Sequence, residues 1–113
     1  MTNALHWIDG AWLDGNPPIF GPLTNAAWMA TVVFDGARAY DGLAPDLDRH
    51  AERCVASAEA LGLVPPVDAA EIARIAVAGI AKFPKETALY IRPMFYGDEG
   101  WLLPTSTKFV LSL

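Results

Sequence analysis

The clearest hydrophobic pattern in the chain runs from residue 46 to residue 61. Its apolar positions recur every three or four residues, which places them on one face of a helix: Leu47, Ala51, Cys54, Val55, Ala58 and Leu61. Asp46 or Asp48 can cap the start of this helix, and Gly62 stands where a C-cap glycine belongs. The pattern therefore predicts a helix over residues 46–61 with one face buried.

A second stretch with helical spacing follows the rigid connector of residues 64–66. Its apolar residues again fall on one face, and they are Ile72, Ile75, Ala76, Ile80 and Phe83. Asp68 and Glu71 stand three residues apart, which is the spacing of a capping box at a helix start. We therefore predict a second amphipathic helix after Asp68.

Alternating side chains predict strands in three further segments. Residues 31–40 place one set of side chains on a single face: Val32, Phe34, Gly36, Arg38 and Tyr40. Residues 88–96 separate into a face with Leu89, Ile91 and Phe95 and a face with Tyr90, Arg92, Met94 and Tyr96. Pro93 in this strand indicates an edge, a bulge or an interruption of the ladder. Residues 107–113 are the third predicted strand.

The N-terminal segment predicts a hairpin. Residues 6–8 and 11–13 flank Asp9-Gly10, a pair that favours a two-residue turn, and residues 25–30 form a short predicted helix. The whole order is then hairpin, strand, two helices, strand, strand. That order predicts an α+β fold, in which two helices pack on a largely antiparallel sheet.

Composition narrows the class of protein. The chain has 113 residues, 53% of them hydrophobic, and a net charge of −5, which fits one folded domain. Only eight Lys and Arg residues and a pI near 4.7 argue against a nucleic-acid surface. No stretch approaches the roughly 20 apolar residues of a membrane span, and the first residues do not resemble a signal peptide. The single cysteine, Cys54, fits a reducing compartment, so we expect a cytoplasmic location. Because Cys54 belongs to the apolar stripe of residues 46–61, we expect its thiol to lie in the core.

The sequence stops inside an apolar strand, without a turn or a polar tail after Leu113. A strand that ends in this way needs a neighbour to pair with. We therefore expect the chain to be a fragment of a longer protein.

Arg49 is the first candidate for chemistry, because it falls in the first turn of the predicted helix and away from its apolar stripe. A helix start offers free N–H groups, and together with a guanidinium they can bind an anion. The alternative is an exposed arginine that pairs with an acid on the same helix: Asp46, Glu52 or Glu59.

Arg38 and Arg92 are a second pair of candidates, because each shares a strand face with aromatic residues. A charge on such a face must be paired or must face a polar pocket. Arginine suits a substrate carboxylate. The alternative is two structural arginines that bridge to Asp or Glu. Gly36 permits close approach of a ligand or backbone, or else it forms a bulge. Asp35 is expected to be a turn or surface acid.

The two histidines, His6 and His50, have no partner at metal-ligand spacing, so the sequence predicts no metal site. His50 lies beside the apolar stripe in the first turn of the helix. We expect it to have a structural role.

Three segments in order resemble the class IV aminotransferases, enzymes of fold type IV that depend on pyridoxal 5'-phosphate. Residues 33–40 (VFDGARAY) are similar to the family's V-F-E/D-G-x-R-x-Y strand. Residues 47–50 (LDRH) are similar to its (F/L)-x-R-H segment, and residues 89–94 (LYIRPM) to its Y-I-R-P-(L/M) strand. Together these segments cover most of residues 31–98, and the third resembles the branched-chain amino acid aminotransferases in particular.

The resemblance implies a role for each candidate residue. Arg49 matches the arginine that contacts the cofactor phosphate, and the residues that match substrate-binding positions are Phe34, Gly36, Arg38, Tyr90 and Arg92. No catalytic residue is implied, because the Schiff-base lysine of the family lies in a C-terminal domain beyond this chain. None of the three lysines here lies in the family's lysine motif. Residues 1–113 would then be a single N-terminal domain.

The resemblance also implies a function. The full-length enzyme would exchange an amino group between a branched-chain-like amino acid and a 2-oxo acid and would form a homodimer. From the composition, we expect it to bind neither nucleic acid nor membrane. The isolated chain would be inactive. Alternatives are an aminodeoxychorismate lyase, a D-amino-acid transaminase, or a non-catalytic module that binds a small anion or a protein. Residues 25–30 depart from the family's H-x-x-H-Y-G segment, and Met29 replaces its pocket tyrosine. This departure argues against branched-chain specificity and favours a divergent subgroup of the family.

Overall fold

A computed structural model describes residues 3–113 and contains one six-stranded sheet. The strands are β1 (Leu5–Ile8), β2 (Ala11–Asp14), β3 (Val32–Phe34), β4 (Ala37–Ala39), β5 (Leu89–Gly97) and β6 (Thr107–Ser112). All pairs are antiparallel, in the order β2-β1-β6-β5-β3, and β4 also pairs with β5. The predicted α+β fold with a largely antiparallel sheet is confirmed.

The hairpin has the predicted turn. Ile8 lies opposite Ala11, so Asp9 and Gly10 are the two turn residues, and their φ angles are 49° and 81°. Positive φ at both positions is typical of a type I′ turn, which matches the twist of the strands.

Three helices accompany the sheet: α1 (Asn25–Met29), α2 (Leu47–Ala60) and α3 (Ala69–Ile80). The carboxylate of Asp68 accepts a hydrogen bond from the Glu71 backbone N–H at 2.8 Å, so the predicted cap of α3 is confirmed. The predicted cap of α2 is wrong for Asp46, whose side chain makes no capping hydrogen bond. Gly62 follows α2 with a φ of 87°, the left-handed conformation expected of a glycine at a helix end.

Pro93 divides the predicted strand of residues 31–40 into β3 and β4. Phe34 pairs with Met94 and Ala37 pairs with Ile91, so the common register places Asp35 opposite Pro93. The Asp35 N–H donates to the Pro93 carbonyl at 3.1 Å, but proline has no N–H to donate in return. The prediction of one continuous strand is therefore wrong, and the interruption expected at Pro93 is confirmed.

Helices α2 and α3 cover one face of the sheet. Helices α2 and α3 contact β5, and the side chains buried at this layer include Ala37, Ala39, Cys54, Ile72, Ile91, Phe95 and Leu111. Cys54 is fully buried, as predicted. Leu61, predicted to belong to the buried stripe of α2, is instead exposed at its C-terminal end. None of the helices within residues 3–113 has the length and apolar character needed to cross a membrane.

The opposite face of the sheet is covered over only part of its area. Ile19 and Ala26 pack there against Tyr96 and Val110, which explains why Tyr96 is buried. Towards β4 and the start of β5 the face is open, and Phe34, Arg38, Tyr40 and Tyr90 are exposed on it. The two faces predicted from the alternation of residues 31–40 are thus confirmed, and the open one carries the substrate-binding candidates.

Candidate functional site

The open face brings Gly36, Arg38 and Tyr90 together. Arg38 lies directly opposite Tyr90 in the β4–β5 ladder. The Tyr90 side chain passes over Gly36, because a Cβ atom built on Gly36 would lie only 2.8 Å from the Tyr90 hydroxyl oxygen. Gly36 therefore permits a close approach, and the group that approaches is the Tyr90 side chain.

Phe34 and Arg92 form a second contact on the same face. The Arg92 guanidinium carbon lies 3.6 Å from the centre of the Phe34 ring, the geometry of a cation–π interaction. Within residues 3–113 neither Arg38 nor Arg92 forms an ion pair with Asp or Glu. The alternative of two arginines that bridge to acids therefore has no support, and both cations remain available on the open face.

Asp35 lies on the covered face, where its side chain is only 5% exposed. One oxygen, Oδ2, accepts a hydrogen bond from Arg53 Nε at 2.6 Å. The other, Oδ1, accepts from Arg53 Nη2 at 2.9 Å, from the Gly36 N–H at 2.9 Å and from His50 Nδ1 at 2.8 Å. The expectation that Asp35 is a turn or surface acid is wrong, since it is a buried carboxylate with four hydrogen bonds.

The charge of Asp35 follows from these neighbours. The hydrogen bond from Arg53 is the largest influence and holds the Asp35 pKa below its ordinary value of 3.8, although burial opposes it. Asp35 is therefore ionised at neutral pH. An ionised carboxylate can only accept hydrogen bonds, so His50 must be the donor in its bond to Asp35. We therefore assign a proton to His50 Nδ1, and Nε2 takes no part in this bond. His50 thus has the structural contact expected of it.

Arg49 lies beside this cluster at the start of α2. It is exposed and, with Asp46, His50 and Arg53, lines a depression of about 220 Å³. The alternative in which Arg49 pairs with Asp46, Glu52 or Glu59 is not seen, since Arg49 forms no ion pair in the part of the chain that the structure describes. The depression therefore has two arginines on its rim.

Sequence reasoning missed Arg53, although two signals point to it. Arg49 and Arg53 are four residues apart, so they lie on the same side of α2. The alternation of residues 31–40 also places Asp35 on the face opposite Phe34, which is the covered face, and a carboxylate there requires a cation from the adjoining helix. These signals indicate a cation near Asp35 on the covered face, and the packing of α2 on that face identifies it as Arg53.

Other reactive groups do not add to this site. Burial and the nearby charge of Asp35 raise the pKa of the Cys54 thiol to about 12, so Cys54 is not a nucleophile at neutral pH. In residues 3–113 no group of three or more His, Cys, Asp or Glu side chains is placed to hold a metal ion.

Comparisons with known proteins identify the family of this fold and site. The family model described as amino-transferase class IV matches residues 32–113. A probable branched-chain-amino-acid aminotransferase of Rickettsia typhi is 34% identical over 110 residues, which are 94% of this chain and 38% of that protein. The chain therefore spans much less than half of this relative's length.

Solved structures agree with the sequence relatives. An aminotransferase from Brucella abortus, bound to the cofactor PLP, is 40% identical with a TM-score of 0.92, over 98% of this chain and 41% of that one. A branched-chain aminotransferase from Thermoproteus uzoniensis, solved with norvaline, is 28% identical with a TM-score of 0.81, over 96% of this chain and 40% of that one. By the family model, the sequence relative and these folds, the chain belongs to amino-transferase class IV.

Proposed function

We propose that this chain forms the cofactor-anchoring and substrate-lining part of a pyridoxal-phosphate-dependent aminotransferase. The whole protein exchanges an amino group between a branched-chain-like amino acid and a 2-oxo acid. The observation that carries the proposal is the arginine-rimmed depression at the start of α2, whose residues His50 and Arg53 bond to Asp35, the residue directly before Gly36.

The residues at the depression fit a phosphate group. In α2 the first intrahelical bond runs from the His50 N–H to the Asp46 carbonyl, so the N–H groups before His50 have no helical partner. Such groups at a helix N-terminus attract anions. Arg49 adds a full positive charge next to them, as the family resemblance implies, and Arg53 adds a second.

Arg53 retains donors for an anion although it already binds Asp35. A guanidinium has five N–H donors, and Asp35 takes the Nε–H and one hydrogen of Nη2. Both hydrogens of Nη1 and the other hydrogen of Nη2 remain. Because the Arg53 side chain is 67% exposed, that free edge is accessible to a phosphate.

The open face supplies the substrate part of the site. Arg38 and Arg92 have no acidic partner within residues 3–113, and either can bind a substrate carboxylate. Phe34 and Tyr90 provide apolar surface beside them, and Gly36 leaves room for the Tyr90 ring. The cofactor, when bound, supplies an electron sink for removal of the substrate's α-proton. The residues of this chain bind and orient the two molecules.

The remaining parts of the proposal concern the whole protein. We assign the lysine that holds the cofactor to a segment outside residues 1–113, since none of the chain's three lysines lies in the family's lysine motif. We also propose a homodimer in the cytoplasm that binds neither nucleic acid nor membrane. The single cysteine supports the compartment, and the low content of Lys and Arg supports the absence of nucleic-acid binding. The homodimer is what the family resemblance implies. The isolated chain is expected to be inactive.

A donor screen of the protein expressed from its whole natural reading frame tests the function. The protein, purified with pyridoxal phosphate, is mixed with leucine, isoleucine, valine, norvaline or D-alanine, with 2-oxoglutarate as acceptor. The proposal predicts glutamate formation with the branched-chain L-amino acids. Transfer from D-alanine alone would support the D-amino-acid alternative, and no transfer by a protein that retains the cofactor would contradict an aminotransferase.

A further inference from the structure

Arg53 is held in one orientation although most of its side chain is exposed. A free arginine on a helix surface samples many rotamers, and ordering it costs conformational entropy. Here two parallel hydrogen bonds, of 2.6 and 2.9 Å, join the Nε–Nη2 edge of Arg53 to the two oxygens of Asp35. A bidentate contact of this kind fixes the plane of the guanidinium as well as its distance.

Asp35 is itself a rigid anchor. Its side chain is 5% exposed, and its Oδ1 is fixed by the N–H of Gly36 at 2.9 Å. It lies opposite Pro93, where the ladder between the two strands is interrupted, and its own N–H remains bonded to the Pro93 carbonyl. The carboxylate is therefore fixed to the sheet immediately beside the glycine that accommodates Tyr90.

His50 is oriented by the same carboxylate. With Nδ1 donating to Asp35 at 2.8 Å, the ring of His50 is fixed against Asp35 and lines the depression beside Arg49. One buried carboxylate thus sets the positions of two of the four residues around the proposed phosphate site.

We propose that Asp35 is a positioning residue, which holds Arg53 and His50 in the arrangement that accepts the phosphate of the cofactor. The inference rests on the proposed function. Positioning and simple electrostatics predict opposite effects of removing Asp35 on anion affinity, because Asp35 is a negative charge close to an anion site. If charge alone mattered, the loss of Asp35 would strengthen binding of an anion. If Asp35 positions Arg53, its loss weakens binding, because Arg53 must then be ordered when the anion arrives.

The substitution Asp35→Asn in the protein from its whole reading frame separates these outcomes. Dissociation constants are measured by titration calorimetry for pyridoxal phosphate and, separately, for inorganic phosphate. Positioning predicts binding about 3- to 10-fold weaker for both ligands, the range for one side chain that must be ordered. Asp35→Glu, which restores a carboxylate, is expected to recover most of the affinity. In an Arg53→Gln background Asp35→Asn should cause a smaller loss than in the wild type, since of the two residues that Asp35 positions only His50 remains.

Unchanged or tighter binding by a folded Asp35→Asn protein would overturn the positioning role. A different outcome, in which the wild-type protein binds neither ligand, would contradict the proposed phosphate site itself. A second measurement does not depend on the variant's folding: the Nε–H signal of Arg53 in the NMR spectrum of the unliganded wild-type protein. Positioning predicts slow solvent exchange of this proton compared with those of Arg49 and the exposed Arg74, and equal exchange would overturn it.

Discussion

The Tyr90 side chain lies across the backbone of Gly36, with its hydroxyl oxygen 2.8 Å from the position that a Cβ atom on Gly36 would occupy. The obstacle is the outer end of a tyrosine side chain rather than backbone, so a larger residue at position 36 displaces Tyr90 and leaves the strands in place. The residue at position 36, in the break between β3 and β4, therefore determines where the Tyr90 side chain lies on the open face.

Gly36→Ala should change substrate binding more than stability. The displaced Tyr90 alters the pocket, so we expect KM for the amino donor to rise about 10-fold, the effect of about 1.4 kcal/mol, while the unfolding midpoint changes little. Steady-state kinetics and thermal unfolding of the whole protein measure the two quantities. In a Tyr90→Phe background, which removes the closest atom, the effect of Gly36→Ala should be smaller. Equal KM values for Gly36→Ala and wild type would contradict this account.

Arg49→Gln and Arg53→Gln should each weaken binding of pyridoxal phosphate. Each removes a charge-assisted contact to the phosphate, for which a loss of about 10- to 100-fold in affinity is expected. Arg74→Gln is the matched control, because Arg74 is an exposed arginine on α3 that pairs with Glu71. Affinity is measured by titration of the cofactor-free protein. If Arg74→Gln has the same effect as the other two, the loss reflects overall charge and not a site on α2.

The Arg53–Asp35 pair should make stability sensitive to acid. Because the Asp35 pKa is lowered in the folded state, chiefly by the hydrogen bond from Arg53, the contribution of Asp35 is complete above its unfolded value of 3.8. It is lost as the pH falls through the lower folded value. Urea unfolding from about pH 6 to pH 2 should therefore show a smaller acid-induced decline for Asp35→Asn than for wild type. Asp14→Asn, at an exposed acid, serves as the control, and parallel curves for Asp35→Asn and wild type would refute the pair's role.

Cys54 should resist thiol reagents in the folded protein. Its side chain is fully buried, its thiol donates to the Pro93 carbonyl at 3.5 Å, and burial together with the charge of Asp35 raises its pKa to about 12. At about pH 8 iodoacetamide should label Cys54 in urea but not in the native state. Mass spectrometry measures the difference, with any cysteines outside residues 1–113 replaced by serine. Labelling at the same rate in both states would be incompatible with this burial.

The periodic patterns predicted most of the fold because each element buries a single face. The apolar stripe of α2, the alternation around Phe34 and the turn at Asp9-Gly10 all depend on local spacing, and the structure retains them. Where the sequence-based account failed, the cause was non-local. The break between β3 and β4 depends on Pro93 of another strand, whose register with Asp35 is not visible in the sequence of either strand.

The site was predicted only in part for the same reason. Phe34, Gly36, Arg38, Tyr90 and Arg92 lie on one sheet face because strand alternation places them there. Asp35 and Arg53 are 18 positions apart in the sequence. Asp35 lies in the break between β3 and β4, and Arg53 lies on α2. Their contact follows only once α2 is known to pack on the face that Asp35 occupies, and strand periodicity alone does not specify that packing.

The most direct test of the central claim is whether the whole protein holds pyridoxal phosphate. The protein from its natural reading frame is loaded with the cofactor, its visible absorption is recorded, and borohydride is added before digestion and mass spectrometry. The account predicts one cofactor per chain, fixed by borohydride to a lysine outside residues 1–113, and displacement of unreduced cofactor by excess inorganic phosphate. A folded protein that retains no cofactor would contradict it.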